Sequence, residues 1–157
     1  MLTQTQNYPR VAVYMRVATC EQLGEPITAF YCRTATPCDM GIETQKDFLT
    51  RYAEKNGYRY CVTFVDNGES GMDVNRPAFQ DMFRGIESGY IKRVLTSDLS
   101  RLSRNHVLTQ ELLILFDKYD VELVSVKDGY NSSNIDECNL LVNLSSVISK
   151  FYAGHKR

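Results

Sequence analysis

From Ile27 onward, short β-rich runs alternate with stretches whose apolar residues recur at helical spacing, the signature of βαβ units around a mainly parallel sheet. The class this predicts is α/β, with a mainly parallel sheet of four to five strands and helices on both faces. A strand over 28–33 leads through the turn TPCDMG into IETQKDFLTRYAEKNG, where Ile42, Phe48, Leu49, Tyr52 and Ala53 form an apolar face. Asn56-Gly57 ends that helix as a C-cap. The second strand, YRYCVTFV, runs into the polar loop DNGESGMDVNR, and Pro77 opens a short helix as a first-turn proline can. IKRVLT reads as the third strand and feeds SDLSRLSRN; HVLTQELLILFDKYD is a helix and VELVSV the fourth strand. Over 135–153, Leu140, Leu141, Leu144, Val147, Ile148, Phe151 and Tyr152 form a stripe wider than one small sheet requires. A long C-terminal helix that also buries a partner is the expectation.

Residues 1–26 stand apart. VAVYMRVAT and TAFYCRTAT are near copies, each carrying Tyr-x-Arg-x-Ala-Thr after an apolar run. Only the second copy is followed by a connection short enough for one turn into the next helix, so Tyr31, Arg33 and Ala35 set the working register. The first copy, over 11–17, reads as an extra strand at a sheet edge. The expected organisation is an N-terminal extension over 1–26 and one globular domain over 27–157.

Composition narrows the function. With 43% hydrophobic and 24% charged residues the chain is an ordinary globular protein. Its net charge of -1 excludes a global basic field, so any nucleic-acid contact must come from a local cluster. Cys20, Cys32, Cys38, Cys61 and Cys138 match neither a disulfide framework nor zinc spacing, which predicts reduced thiols in the cytoplasm. The sequence shows neither a membrane-length apolar run nor signal-peptide regions, so no membrane partner is expected.

In open α/β sheets ligands gather beyond the carboxyl ends of the strands, where polar residues concentrate here. Arg33 ends the first strand, Asp66 ends the second with Arg76 beyond it, and Asp98, Arg101 and Arg104 follow the third. Arg101 and Arg104, at i and i+3, would project from one face of a helical turn and suit bidentate contact with phosphate oxygens. Four fixed arginines can stabilise charge developing on a phosphate without a metal, and none is expected. Taken singly, each residue has a plainer reading: a solvated arginine, a turn-forming Asp66 before Asn67-Gly68, an exposed helical Gln45, a packing Tyr31.

The combination resembles the catalytic domain of the serine recombinases, the resolvase and invertase family. Its motifs run in the family's order from Thr28 to about Tyr152: FYCRTAT, the ETQKDFL helix start, VDNGESGMDVNRPAFQDM, SGYIKRVLTSDLSRLSRN and SKFYA. The DxGxSGxxxxRPxF and DLSRLxRN stretches are highly specific. The resemblance implies DNA strand exchange through a phosphoserine linkage, without a cofactor. It also implies that Arg33, Gln45, Asp66, Arg76, Arg101 and Arg104 bind or activate the scissile phosphate, with Asp98 an acid common in the large members. Against the family pattern, Ala35 occupies the nucleophile's position, Asp39 stands where glutamine is frequent, and Tyr152 stands near a usual glutamate. Ser70, Ser97, Ser100 and Ser103 fall at other motif positions, and Thr34 and Thr36 should point away from the serine's place. The expectation is a recombinase-like protein without cleavage activity, lacking a separate DNA-binding domain and so binding DNA weakly. Its partner would be a second copy or an active recombinase, joined through the C-terminal helix. A non-catalytic regulatory module of a mobile element is the alternative. From another class comes a receiver-like or ligand-binding domain using Asp66 as phosphoacceptor with Lys127, but such a site needs carboxylates where this chain has Arg33.

Overall fold

The computed structural model describes residues 24–134; both the extra strand expected over 11–17 and the helix expected over 135–153 lie outside the described residues. The elements in chain order are β1 (Ile27–Thr34), α1 (Asp39–Lys55), β2 (Cys61–Asn67), α2 (Pro77–Glu87), β3 (Ile91–Thr96), α3 (Leu99–Leu102), α4 (His106–Lys118), β4 (Glu122–Ser125) and β5 (Tyr130–Asn131), followed by a 3-10 turn at Ser132–Asn134. They build one sheet of order β2-β1-β3-β4-β5. The first four strands are parallel, and β5 runs antiparallel to β4.

β1 is central and buried along all but its last residue, which is why ITAFYC reads as a continuous apolar run and not an alternation. Its side chains still alternate between faces. Ile27, Ala29 and Tyr31 enter a core with Phe79, Met82 and Ile86 of α2 and Leu112, Leu113 and Phe116 of α4. Phe30 and Cys32 enter the opposite core with Ile42, Leu49 and Ala53 of α1. Helices therefore cover both faces of a mainly parallel sheet.

Several boundaries differ from the sequence reading. α1 starts inside the expected turn, at Asp39, because the Cys38 thiol accepts the Gly41 amide at 3.3 Å as an N-cap. β2 begins only at Cys61, since Gly57 takes a positive φ of 73° and the Tyr58 amide is still donating to Ala53 of α1 at 2.9 Å. It then runs on to Asn67, paired with Thr34. The fifth strand is Tyr130–Asn131, a two-residue segment with too short a pattern to be read in advance.

Candidate functional site

β1 is flanked by β2 on one side and β3 on the other. The connection from β1 runs to β2 and that from β3 to β4, in opposite directions, which opens between the carboxyl ends of β1 and β3 the crevice where ligands of α/β sheets bind. Arg33, paired in register with Asp66, stands at that end. Its side chain is fully buried. Nε donates to the Arg101 carbonyl at 2.9 Å, one terminal nitrogen to the Glu69 carbonyl at 2.8 Å and the other to the Ser100 carbonyl at 2.6 Å. Arg76, only 1% exposed, donates to the Tyr31 hydroxyl at 2.8 Å, to the Arg101 carbonyl at 3.1 Å and to the Leu102 carbonyl. Its guanidinium lies over the Phe79 ring at 4.7 Å, a favourable setting for a desolvated cation. Two buried arginines thus satisfy the carbonyls of α3 that a helix end leaves without partners.

Asp66 lies across the Tyr31 hydroxyl from Arg76. Its Oδ1 accepts the Ala78 amide at 2.9 Å; its Oδ2 accepts the Phe79 amide at 3.0 Å and the Tyr31 hydroxyl at 2.7 Å. α2 has no side-chain cap from its own N-cap residue Arg76, so this carboxylate from β2 caps it, at the end of the helix that favours negative charge. Tyr31 bridges Asp66 and Arg76. Burial first, then the hydrogen bond to Asp66, pushes its phenol up against the opposing pull of Arg76, and it stays a neutral donor and acceptor. Arg33 is lowered from 12.5 to about 10, by burial and then by Arg76 and Arg104. It remains a cation at neutral pH.

Gln45 of α1 locks the Arg33 backbone, its Oε1 accepting the Arg33 amide and its Nε2 donating to the Arg33 carbonyl, both at 3.1 Å. Arg101 also donates to that carbonyl, at 3.0 Å. Its Nε has no hydrogen-bond partner, and Asp98 Oδ2 lies 3.4 Å away as a charge contact only. Asp98 accepts from the Ser97 hydroxyl at 3.0 Å and from the Ser100 hydroxyl. Burial alone would raise its carboxyl; the Ser100 bond, Arg101 and Ser97 outweigh it and hold the group below its ordinary 3.8. A carboxyl lowered on folding stabilises the protein above its unfolded value and ceases to do so as pH falls through the folded one. Asp98→Asn is therefore expected to lose less stability than the parent as pH drops below about 4, measured by thermal melts along a pH series; parallel curves would refute the assignment.

Arg101 and Arg104 do not share a helical face. α3 ends at Leu102, and Ser103 is extended at φ -157° and ψ 146°. Arg104 arrives another way: its amide donates to the Gly71 carbonyl at 2.8 Å and its side chain is exposed. Gly71 is the spacer that admits this packing, since a Cβ there would fall 2.7 Å from an Arg33 terminal nitrogen and 3.2 Å from the Arg104 Cγ. The four arginines thus separate into Arg33 and Arg76, buried and turned inward onto carbonyls, Arg101, partly buried on the Arg33 carbonyl, and Arg104, exposed.

Ala35 follows β1 directly and is exposed. The neighbouring Thr34 hydroxyl is committed to Asn67 Oδ1 at 2.8 Å. Asn67 in turn donates to Asp39 at 2.7 Å, drawing that carboxylate into the β1–α1 turn. Asp66 has both oxygens engaged and is 3% exposed, unlike the accessible carboxylate that a phosphoacceptor requires. Sequence reasoning took Tyr31 as packing and passed over Gly71. The first had a signal in being a hydroxyl on a buried strand two residues from an arginine; the second had only its place in the DxGxSG loop.

A family model, Resolvase, N terminal domain, matches residues 28–157. The N-terminal catalytic domain of TP901-1 integrase is similar at 29% identity and a TM-score of 0.68, over 83% of this chain and 98% of that one. A resolvase family site-specific recombinase from Streptococcus pneumoniae is similar at 30% identity and a TM-score of 0.63, over 82% of this chain and 89% of that one. Uncharacterized immunity region protein 3 of Bacillus phage phi105 is 32% identical over 85 residues, 54% of this chain and 88% of that protein.

Proposed function

The chain belongs to the resolvase N-terminal domain family, and from that premise we propose that its serine-recombinase-like domain binds DNA phosphate at the end of β1 without cutting the strand. What supports this reading is Ala35, exposed just past β1 and two residues beyond Arg33, at the position where the resemblance puts the attacking serine. A methyl group has no lone pair to offer phosphorus. The nearest substitute, the Thr34 hydroxyl, is turned to Asn67. In enzymes that lose a nucleophile, turnover falls by a factor on the order of 10⁶ while binding survives.

In this proposal Arg101 and Arg104 contact the phosphate, being the two reachable cations. Arg33 and Arg76 act from behind, holding the backbone from which Arg101 projects. Gln45 fixes the β1 end, Asp66 caps α2 and holds the Tyr31 hydroxyl that Arg76 meets, and Asp98 orients Arg101 without quenching it through a hydrogen bond. The apolar stripe over 135–153 would carry association with a second copy or with an active recombinase.

Titration with short duplex DNA tests the site. Binding is expected at low salt and should weaken linearly on a log–log plot, with a slope near -0.9 for each phosphate neutralised. Arg101→Ala and Arg104→Ala should each reduce that slope by about 1. Slopes unchanged in both variants would remove the phosphate reading.

A further inference from the structure

Asp128 lies outside the cluster just described, in the turn that joins β4 to β5. Its Oδ2 accepts the Leu99 amide at 2.8 Å and the Ser125 hydroxyl at 2.5 Å. Leu99 is the first residue of α3, and Asp98, which holds the N-cap position, makes no side-chain cap bond; its carboxylate is spent on Ser97, Ser100 and Arg101. The cap of α3 therefore comes from another strand. The backbone that delivers it is fixed, because the Val126 amide donates to the Thr96 carbonyl at 3.1 Å and the Lys127 amide to the Ser97 carbonyl at 2.8 Å. Gly129, at φ 63°, then reverses the chain.

A single helical turn is not stable by itself, so the pose of α3 must be imposed from outside. It carries a carboxylate at its amino end and two guanidinium groups at its carboxyl end, the arrangement that the peptide dipoles favour. Arg101, inside this turn, has one hydrogen bond from its side chain, to the Arg33 carbonyl, and the looser charge contact with Asp98. The direction in which it points is thus set largely by the turn.

We propose that Asp128 is a positioning residue: by capping α3 from the β4–β5 turn it fixes the pose in which Arg101 faces the end of β1. The inference rests on the reading of Arg101 as a phosphate ligand. Asp128 acts through the Leu99 amide and does not touch the phosphate.

The test uses the full chain and two measurements. Asp128→Ala is expected to speed amide hydrogen exchange across Leu99–Leu102 on the order of tenfold, the scale of a lost N-cap, and to leave the β1 amides unchanged. It should weaken short-duplex binding several-fold at low salt. Asp128→Asn, which keeps an acceptor oxygen, should restore most of both. The double variant Asp128→Ala, Arg101→Ala should bind no more weakly than Arg101→Ala alone, a non-additivity that general destabilisation would not produce. Unchanged exchange over Leu99–Leu102, failure of the asparagine to rescue, or additive losses would each overturn the proposal. If Arg101→Ala itself leaves binding intact, the role of Arg101 as a phosphate ligand falls, and the exchange data still decide whether Asp128 holds the turn. Should Asp128→Ala not fold, Ser125→Ala frees the carboxylate from one of its two bonds, and unchanged exchange at Leu99 would count against the cap.

Discussion

Ala35→Ser is expected to let the domain become covalently attached to DNA. The hydroxyl would stand one residue past the last position of β1, exposed and two residues beyond Arg33. Attack forms a bond between serine oxygen and phosphorus while a strand oxygen leaves, and the hydroxyl proton departs to solvent or to that leaving oxygen. Charge accumulates on the nonbridging oxygens, where Arg101 and Arg104 can meet it. By analogy with nucleophile deletions in hydrolases, the gain over the parent should be on the order of 10⁶ in cleavage rate. The measurement is a denaturing gel of labelled DNA, with a sequence-specific DNA-binding region joined to the chain and its site supplied on a supercoiled plasmid. A protein–DNA adduct is the expected product, and adding Arg101→Ala should suppress it. If the serine variant leaves the plasmid intact, the idea of a retained site wanting only its nucleophile is lost.

The largest effect on stability is expected from Asp66→Ala. The carboxylate is buried and accepts three hydrogen bonds, two from the start of α2 and one from Tyr31. Removing it leaves two amides and a hydroxyl without their acceptor. Leaving buried donors without an acceptor costs about 1–3 kcal/mol each, enough together to lower the melting temperature by roughly 10 °C in a chain of this size. Asp66→Asn keeps an acceptor but not the charge and should fall between the two. Calorimetry of the three proteins would show the order. An Asp66→Ala melt within a degree or two of the parent would mean that the start of α2 and the Tyr31 hydroxyl find other acceptors.

Much of the fold was legible because β1, β3 and the apolar faces of α1 and α4 follow simple periodicities. The fifth strand was not, since Tyr130–Asn131 is defined by its partner in β4 and by no pattern of its own. The start of α1 was missed because Cys38 is an uncommon cap. At the site, the motifs picked out the side chains but not the division of labour among them. An arginine in a loop reads as solvated, and nothing in the sequence announces that carbonyls of residues 100–102 will gather around Arg33 and Arg76. The spacing of Arg101 and Arg104 misled for a related reason: three residues apart suggests a shared helical face, whereas the extended Ser103 ends the turn between them. Local spacing carries local geometry only.

The bonds of Arg33 also set when the site can exist during synthesis. Its acceptors at Glu69, Ser100 and Arg101 lie 36, 67 and 68 residues further along the chain. A nascent chain that has released β1, α1 and β2 therefore holds a guanidinium with at most one of its three carbonyls, at the edge of an unfinished sheet. The pocket closes only after β3 and α3 emerge, because contacts so distant in sequence must await the segment that completes them. Until then the cations that would meet DNA have no common frame, and a chain still on the ribosome has no assembled site with which to hold a phosphate.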